Sequence, residues 1–273
     1  MKKYKNLYIN GCSFTAGDNI KEEKIWPRLL AKKLKLNLIN CSKNANSLQS
    51  IVFTSVNHLS DLSKDDTLVV IGLTWPSRYM IQFKNVVVNI TPVDLDRSGF
   101  KPIHKINFST FRRISSAVLT LKKQTLDKFR DEINFDESDI VLGNFIKYYK
   151  SLLTYDTYLE KNQNLNYVSN LILLQSFLKQ NNFEYKFVNF NSSPSKLNKP
   201  RGWLNFDFSS SSGLDFPICK KIDETKIIKF ENLFTESTNG GISLAWMDEE
   251  TGHPSEKGCR YISEVIFKRL SEG

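Results

Sequence analysis

A serine near the start of the chain and a histidine near its end are of the types that carry out nucleophilic catalysis. Ser13 lies in the glycine-flanked turn Gly11-Cys-Ser-Phe-Thr-Ala-Gly17, which directly follows an apolar run. A serine hydroxyl attacks a carbonyl carbon only when a base removes its proton. His253 is the candidate base, because Glu250 three residues earlier can hold its ring in one tautomer; Asp248 is the rival acid. The pattern therefore predicts a triad of Ser13, His253 and one carboxylate.

Other interpretations of these residues stay open. Cys12 is next to Ser13 and could itself be the nucleophile, although a tight turn normally presents one side chain outward. Ser13 could instead only cap a helix, and His253, which precedes a proline, could be a structural loop residue. The other two histidines, His58 and His104, lie in no motif and are interpreted as structural.

A repeated strand–turn–helix pattern would position the predicted pair. Strands are predicted at 4–10, 36–40 and 67–71, with helices following from Trp26 and Pro27 and over 48–62. The run 67–71 is continuously apolar, which is typical of a parallel strand buried on both faces. Such units predict an α/β fold in which right-handed crossovers connect the strands of a parallel sheet. The polar turns after these strands would then meet at one edge of the sheet.

The remaining elements complete a single predicted domain, 1–273. Residues 86–90 are predicted to form an added strand or a hairpin, and helices are predicted over 108–133 and 140–180, with a break in the second near 162–166 as the alternative to a continuous helix. This mainly helical insertion, at about 100–180, is either a lid or a cover for one sheet face. A strand over 183–190, a loop-rich stretch over 191–241 and a closing helix over 256–270 follow.

Composition is that of an ordinary soluble globular protein, with 40% hydrophobic and 25% charged residues in a chain of 273. No signal peptide or bilayer-spanning apolar run is recognised, so we expect a cytoplasmic location, although release on cell lysis would leave the same signature. The net charge is +9, but the basic residues are scattered and accompany no recognition motif, so no nucleic-acid partner is expected. The four cysteines have no metal-type spacing and are predicted to be free thiols.

Two of these motifs resemble blocks of the SGNH/GDSL hydrolase superfamily. Gly11-Cys-Ser-Phe-Thr15 is similar to the first block, usually Gly-Asp-Ser, with Cys12 in place of the aspartate. Glu250-Thr-Gly-His253-Pro-Ser is similar to the last block, Asp-x-x-His, with glutamate in place of the aspartate. The resemblance covers about 5–80 and 245–270.

The middle blocks of that family resemble the chain less closely. The second block supplies a backbone N–H to the oxyanion hole, and here Ala45 or Asn46 in Lys43-Asn-Ala-Asn-Ser47 lies nearest that position. The third block, Gly-x-Asn-Asp, corresponds to Gly72-Leu-Thr-Trp75, with Thr74 where the asparagine donor is expected. The resemblance thus implies an oxyanion hole built from Ser13, Ala45 or Asn46, and Thr74.

Three further residues are candidates for the substrate groove. Trp26 and Trp75 either line it or belong to the core, and Arg78 either binds an anionic group of the substrate or pairs with an acidic side chain.

The resemblance implies a flavodoxin-like three-layer α/β/α fold and ester hydrolysis through an acyl-enzyme, with no metal ion or cofactor. The expected partner is a small-molecule or glycan ester. The basic, polar and aromatic residues expected around the groove, such as Arg78 and Trp75, favour an O-acyl group on a carbohydrate. Two alternatives remain: transfer of the acyl group to a surface sugar, and a catalytically weakened binding module of a phage- or polysaccharide-associated kind. The oligomeric state is left open by the sequence.

Overall fold

Five parallel strands form the central sheet of the chain. The structure, a computed structural model, describes residues 4–17, 20–75, 78–83, 86–90, 156–190, 217–230, 235–236, 242–243 and 253–272. Its strands are β1 (Asn6–Asn10), β2 (Asn37–Asn40), β3 (Thr67–Gly72), β4 (Tyr79–Phe83), β5 (Val86–Ile90), β6 (Glu184–Asn189), β7 (Ile227–Lys229), β8 (Thr235–Glu236) and β9 (Ile242–Ser243). The central sheet has the order β2-β1-β3-β6-β7, and every neighbouring pair in it is parallel. This order is that of flavodoxin-like folds, so the predicted fold class is confirmed.

The described helices are α1 (Ser13–Ala16), α2 (Trp26–Leu34), α3 (Leu48–Leu59), α4 (Asp156–Gln180) and α5 (Glu256–Ser271). Local sequence explains where several of them begin. Pro27 occupies the first turn of α2, where its missing N–H costs nothing. The hydroxyls of Ser47 and Ser255 accept hydrogen bonds from the N–H groups of Ser50 and Gly258, and so cap the first turns of α3 and α5.

Alternate residues of the buried strands pack against helices on opposite faces of the sheet. Leu68 and Val70 of β3 face one cluster, in which α2 contributes Trp26 and Leu30 and α5 contributes Ile262. Val69 and Ile71 of the same strand face the other cluster, with Ile51 of α3 and Leu171 of α4. All six residues of β3 are buried, as the apolar run predicts. The result is the three-layer α/β/α arrangement.

Several predictions outside the central strands meet a clear outcome. The stretch 86–90 is the second strand of an antiparallel hairpin with β4. Helix α4 continues through 162–166, so the predicted break there was wrong. The loop predicted over 191–241 contains β7, a three-residue edge strand that is too short to show a period of its own. The helix predicted over 108–133, and most of the insertion at about 100–180, lie outside the described residues.

Within the described part of the chain, each helix is too short or too polar to cross a membrane.

Candidate active site

The candidate site lies at the carboxyl edge of the sheet, where the chain changes direction. From β1 the chain passes to β2 on one side and then returns to β3 on the other side of β1. Ligands of open α/β sheets bind at such a switch point, outside the carboxyl ends of the strands. Ser13 follows β1, the loop 43–47 follows β2, and Thr74 follows β3. The topology therefore gathers three of the predicted segments at one crevice.

The structure brings Ser13 and His253 into direct contact. The Nε2 atom of His253 lies 2.8 Å from the Oγ atom of Ser13. His253 is half-buried and immediately precedes the capped start of α5, a helix that packs against α2. The carboxylates predicted to orient this ring, Glu250 and Asp248, lie outside the described residues, so their assignment stays a prediction.

The glycine-flanked turn over 11–17, called the nucleophile turn below, contains the short helix α1. Thr15 and Ala16 donate their N–H groups to the carbonyl of Cys12, and Gly17 donates to that of Ser13. Ser13 is the first residue of α1. The first N–H groups of a helix have no carbonyl partner within that helix, so the N–H of Ser13 is not used in closing the turn. Gly17 ends α1 with φ at +79°, a left-handed conformation that suits glycine.

Cys12 does not compete for the role of nucleophile. Its side chain is fully buried and packs in the hydrophobic core, whereas the hydroxyl of Ser13 faces the histidine. Consecutive side chains of a tight turn point in different directions. Here the Cys12 thiol points into the core and the Ser13 hydroxyl points towards His253. Cys41 and Cys259 are likewise free thiols, and burial raises the pKa of Cys259 to about 11.

Close packing at the turn requires glycine at the carboxyl ends of two neighbouring strands, Gly11 directly after β1 and Gly72 as the last residue of β3. A Cβ atom at Gly11 would lie 2.3 Å from the Oγ1 atom of Thr15, and one at Gly72 would lie 2.1 Å from the same atom. Thr15 is fully buried between them. Because Gly11 and Gly72 have no Cβ atom, the Thr15 side chain of α1 can lie directly over the ends of β1 and β3.

A buried asparagine, which sequence analysis did not single out, holds the end of β1. The Oδ1 atom of Asn10 accepts the N–H of Gly11 at 2.8 Å, and its Nδ2 donates to Thr54 at 2.7 Å and to Ser55 at 3.0 Å, both on α3. Burial raises the pKa of the neighbouring Tyr8 phenol, so this hydroxyl stays protonated. A polar residue at the end of an otherwise apolar strand was the available signal.

The loop after β2 approaches the nucleophile turn from the other side. Asn46 is fully buried, and its Nδ2 donates to the carbonyl of Gly11 at 3.1 Å. Ala45 has φ at +61°, the left-handed region that a family glycine would occupy without strain. The Oγ1 atom of Thr74 donates its proton to the carbonyl of Asn46 at 3.0 Å. Thr74 therefore fastens this loop in the described geometry, and its hydroxyl proton does not point at an oxyanion.

Of the two interpretations that the sequence left open for Trp26, a place in the substrate groove is wrong and a place in the core is right. Trp26 is fully buried, and its indole N–H donates to the carbonyl of Phe14 at 3.0 Å, so it positions α1 instead of lining a groove. The ring of Phe14 lies 5.4 Å from that of His253 and makes an edge contact with Trp75 at 4.7 Å. The guanidinium of Arg78 lies over the ring of Trp75, 4.9 Å from its centroid.

Of the other two histidines, the one that the structure describes lies away from this site. His58 is exposed in the last turn of α3, at the opposite end of that helix from the crevice, and His104 lies outside the described residues. Among the residues that the structure describes, no three His, Cys, Asp or Glu side chains cluster closely enough to hold a metal ion.

Comparisons with known proteins were made at the level of family, sequence and structure. No family model matches the chain, and no curated protein matches it. It is similar to the solved structure of the psychrotrophic esterase EstA from Pseudoalteromonas sp., with 12% identity and a TM-score of 0.47 over 98% of this chain and 97% of that one.

Two further solved structures are similar at the same level. A lipolytic protein of the G-D-S-L family from Desulfitobacterium hafniense DCB-2 has 10% identity and a TM-score of 0.42, with 97% of this chain and 98% of that one covered. The acetyl xylan esterase AlAXEase has 11% identity and a TM-score of 0.43, with 96% and 98% covered. At these identities and TM-scores, the activity of this chain has to be argued from its own site.

Proposed function

We propose that the chain is a serine hydrolase of the SGNH/GDSL type, which cleaves an ester through an acyl-enzyme on Ser13. The observation that carries the proposal is the 2.8 Å contact between Ser13 Oγ and His253 Nε2. A contact of this length is what general-base activation of a serine needs. Its position at the switch point of the sheet, where α/β folds bind ligands, supports the same interpretation.

The pair would act in two steps. As Ser13 Oγ attacks the ester carbonyl carbon, its proton passes to His253 Nε2; when the tetrahedral intermediate collapses, that proton goes to the departing alcohol oxygen. The acyl group then remains on Ser13 as an ester. A water molecule attacks it with His253 again as the base, and the carboxylic acid leaves as Ser13 regains its proton.

The developing oxyanion would be met by backbone N–H groups. That of Ser13 lies at the start of α1, and that of Ala45 lies in the loop that Asn46 joins to Gly11. The N–H of Asn46, the alternative donor, already donates to the carbonyl of Lys43 at 3.3 Å, which favours Ala45. Loss of one such donor typically costs about 3 kcal/mol of barrier. Thr74 would contribute by holding the loop through its bond to Asn46. Glu250, or Asp248 in its place, is proposed to accept the other N–H of His253.

The proposed substrate is an O-acyl ester of a carbohydrate. The half-buried guanidinium of Arg78, which contacts Trp75 and the carbonyl of Asn46, suits a polar, hydroxylated substrate better than a long alkyl chain. Hydrolysis and transfer to a second sugar share every step up to the acyl-enzyme. Product analysis with and without an acceptor sugar separates them.

Reaction with a fluorophosphonate tests the activated serine. We expect stoichiometric labelling of Ser13, measured by intact mass and peptide mapping, and its loss in both Ser13→Ala and His253→Ala. His58→Ala, which removes an exposed histidine far from the crevice, is the matched control and should label at the rate of the unaltered protein. Of Glu250→Gln and Asp248→Asn, the one that removes the orienting acid should label more slowly.

Two outcomes would overturn the proposal. One is absence of labelling in folded protein, which would favour the binding-module alternative. The other is labelling of Ser13 at an unchanged rate in His253→Ala, since the hydroxyl would then not depend on the histidine.

A further inference from the structure

Arg78 is linked to the nucleophile turn through two other residues, Asn46 and Trp75. Its backbone N–H donates to the carbonyl of Trp75 at 3.2 Å, and its Nη1 lies 3.4 Å from the carbonyl of Asn46. Trp75 in turn makes an edge contact with Phe14, the residue after Ser13. The guanidinium thus lies on the same side of the crevice as the loop that approaches Gly11.

The charge of Arg78 is not balanced by a carboxylate in the described parts of the chain. Each of the other arginines described there, Arg28, Arg260 and Arg269, has a glutamate within ion-pair distance. These three ion pairs lie on helix surfaces, whereas Arg78 is half-buried and contacts Asn46 and Trp75. A half-buried cation interacts more strongly with an incoming anion than one in bulk water does.

The geometry of the guanidinium leaves donors for a ligand. Arginine has five N–H groups in a planar fork, and the contact with Asn46 uses one of them. The contact with the ring of Trp75 restricts the guanidinium, so less rotamer entropy is lost when an anion binds. A planar fork of this kind matches the two oxygens of a carboxylate or a phosphate.

A purely structural explanation accounts for only part of these contacts. The carbonyl of Asn46 already accepts the hydroxyl of Thr74 at 3.0 Å, which is shorter than the contact with Arg78. The loop is therefore fastened without the guanidinium, and a neutral donor would serve that purpose equally well.

We infer that Arg78 forms an anion subsite in the proposed ester site, and that the substrate carries an oxyanion group, a carboxylate or a phosphate, close to the ester that Ser13 attacks. This inference rests on the proposed function for the reaction, but not for the binding. It narrows the substrate from acylated carbohydrates in general to acidic ones.

Three probes and three variants test the subsite. The probes are an O-acetylated glucuronate, its neutral methyl ester at the carboxyl group, and an O-acetylated glucose 6-phosphate. We expect the protein to prefer at least one anionic probe, and Arg78→Gln to lower that preference, as a ratio of kcat/KM values, by at least tenfold through KM. Arg78→Lys should keep part of the preference, because it retains the charge but not the fork. Arg28→Gln, which removes an arginine paired with Glu22, is the control and should leave the ratio unchanged.

The two anionic probes separate the sources of the oxyanion, since a carboxylate-specific subsite favours the glucuronate and a phosphate-specific one favours the sugar phosphate. Absence of any preference in the unaltered protein would overturn the inference. An equal loss on the neutral and anionic probes in Arg78→Gln would also overturn it, because Arg78 would then only brace the Asn46 loop.

Binding to Ser13→Ala distinguishes failure of the inference from failure of the proposed function. Calorimetry on this variant measures affinity for the glucuronate and its methyl ester without turnover. Anion binding that Arg78→Gln abolishes, together with no phosphonate labelling of the unaltered protein, would sustain the subsite and reject the hydrolase. If the unaltered protein is labelled at Ser13 but Ser13→Ala binds the glucuronate and its methyl ester equally well, the hydrolase would be sustained and the anion subsite rejected.

Discussion

The Nε2 atom of His253 lies 2.8 Å from the Oγ atom of Ser13, although 240 residues separate the two in the chain. Helix α2 contacts the segments that carry both residues. Trp26 of α2 donates to the carbonyl of Phe14 beside Ser13, and α2 also packs against α5, which His253 directly precedes. The contact therefore depends on how two helices on one face of the sheet pack together.

Packing between α2 and α5 should hold His253 in place more than ion pairing does. Ile262→Ala should lower the free energy of unfolding by about 2–5 kcal/mol, because Ile262 is fully buried in this cluster. Lys33→Ala removes the surface ion pair with Glu264 and should cost less than about 1 kcal/mol. Urea denaturation measures both, and equal losses would show that the ion pair is as important as the core.

The approach of Thr15 to Gly72 should appear as coupling between two mutations. Gly72→Ala should destabilise the protein by about 1–3 kcal/mol, because its methyl group overlaps Thr15 Oγ1. Adding Thr15→Ala removes that oxygen and leaves the Thr15 Cβ at 3.4 Å, so it should recover at least about 1 kcal/mol.

Gly11 supplies the control for this coupling. A Cβ atom at Gly11 would lie 2.7 Å from the Cβ of Thr15, which alanine retains, so Thr15→Ala should not rescue Gly11→Ala. Thermal unfolding of the five variants, namely Gly72→Ala, Gly11→Ala, Thr15→Ala and the two double variants, gives the comparison. Rescue at both glycines, or at neither, would contradict the packing described.

Ala45 should tolerate glycine, because its backbone is left-handed. Relief of the strain at φ +61°, about 1–2 kcal/mol, offsets the entropy that glycine loses on folding and the buried methyl group. We expect Ala45→Gly to change the free energy of unfolding by less than about 0.5 kcal/mol. Ala31→Gly, in the middle of α2, should cost at least about 1 kcal/mol, since the helix backbone has no strain to relieve. Equal costs for the two substitutions would mean that Ala45 is not strained.

Asn10 should affect both stability and the reactivity of Ser13. Asn10→Ala leaves the N–H of Gly11 without its 2.8 Å acceptor, and a buried donor left in this way costs about 1–3 kcal/mol. Because Gly11 leads into the nucleophile turn, phosphonate labelling should also slow. Asn170→Ala is the control, since Asn170 bonds mainly to Asn166 within its own helix; its effect on stability and labelling should be small. Unchanged labelling in a folded Asn10→Ala protein would show that Asn10 does not position the turn.

Local sequence was enough to predict the central strands and the pairing of Ser13 with His253. The predicted strands at 4–10 and 67–71 agree with β1 and β3 to within two residues, because continuous apolar runs bounded by polar turns are a local property. The predicted closing helix ends one residue early, and its start coincides with the Ser255 cap. Ser13 and His253 could be paired from residue type alone, since a nucleophilic serine needs a base and few histidines were available.

Only the tertiary structure decided which groups each side chain of the site packs against or hydrogen-bonds. The apolar character of Trp26 and Cys12 indicates that both can be buried. It does not predict that Trp26 donates to the carbonyl of Phe14, or that Cys12 packs in the core beside the nucleophile. The proton of Thr74 goes to Asn46 because two loops from different strands meet there, and no spacing in the sequence expresses that distance. Periodicity reports which face of an element is buried, whereas hydrogen bonds depend on a few tenths of an ångström between segments far apart in the chain.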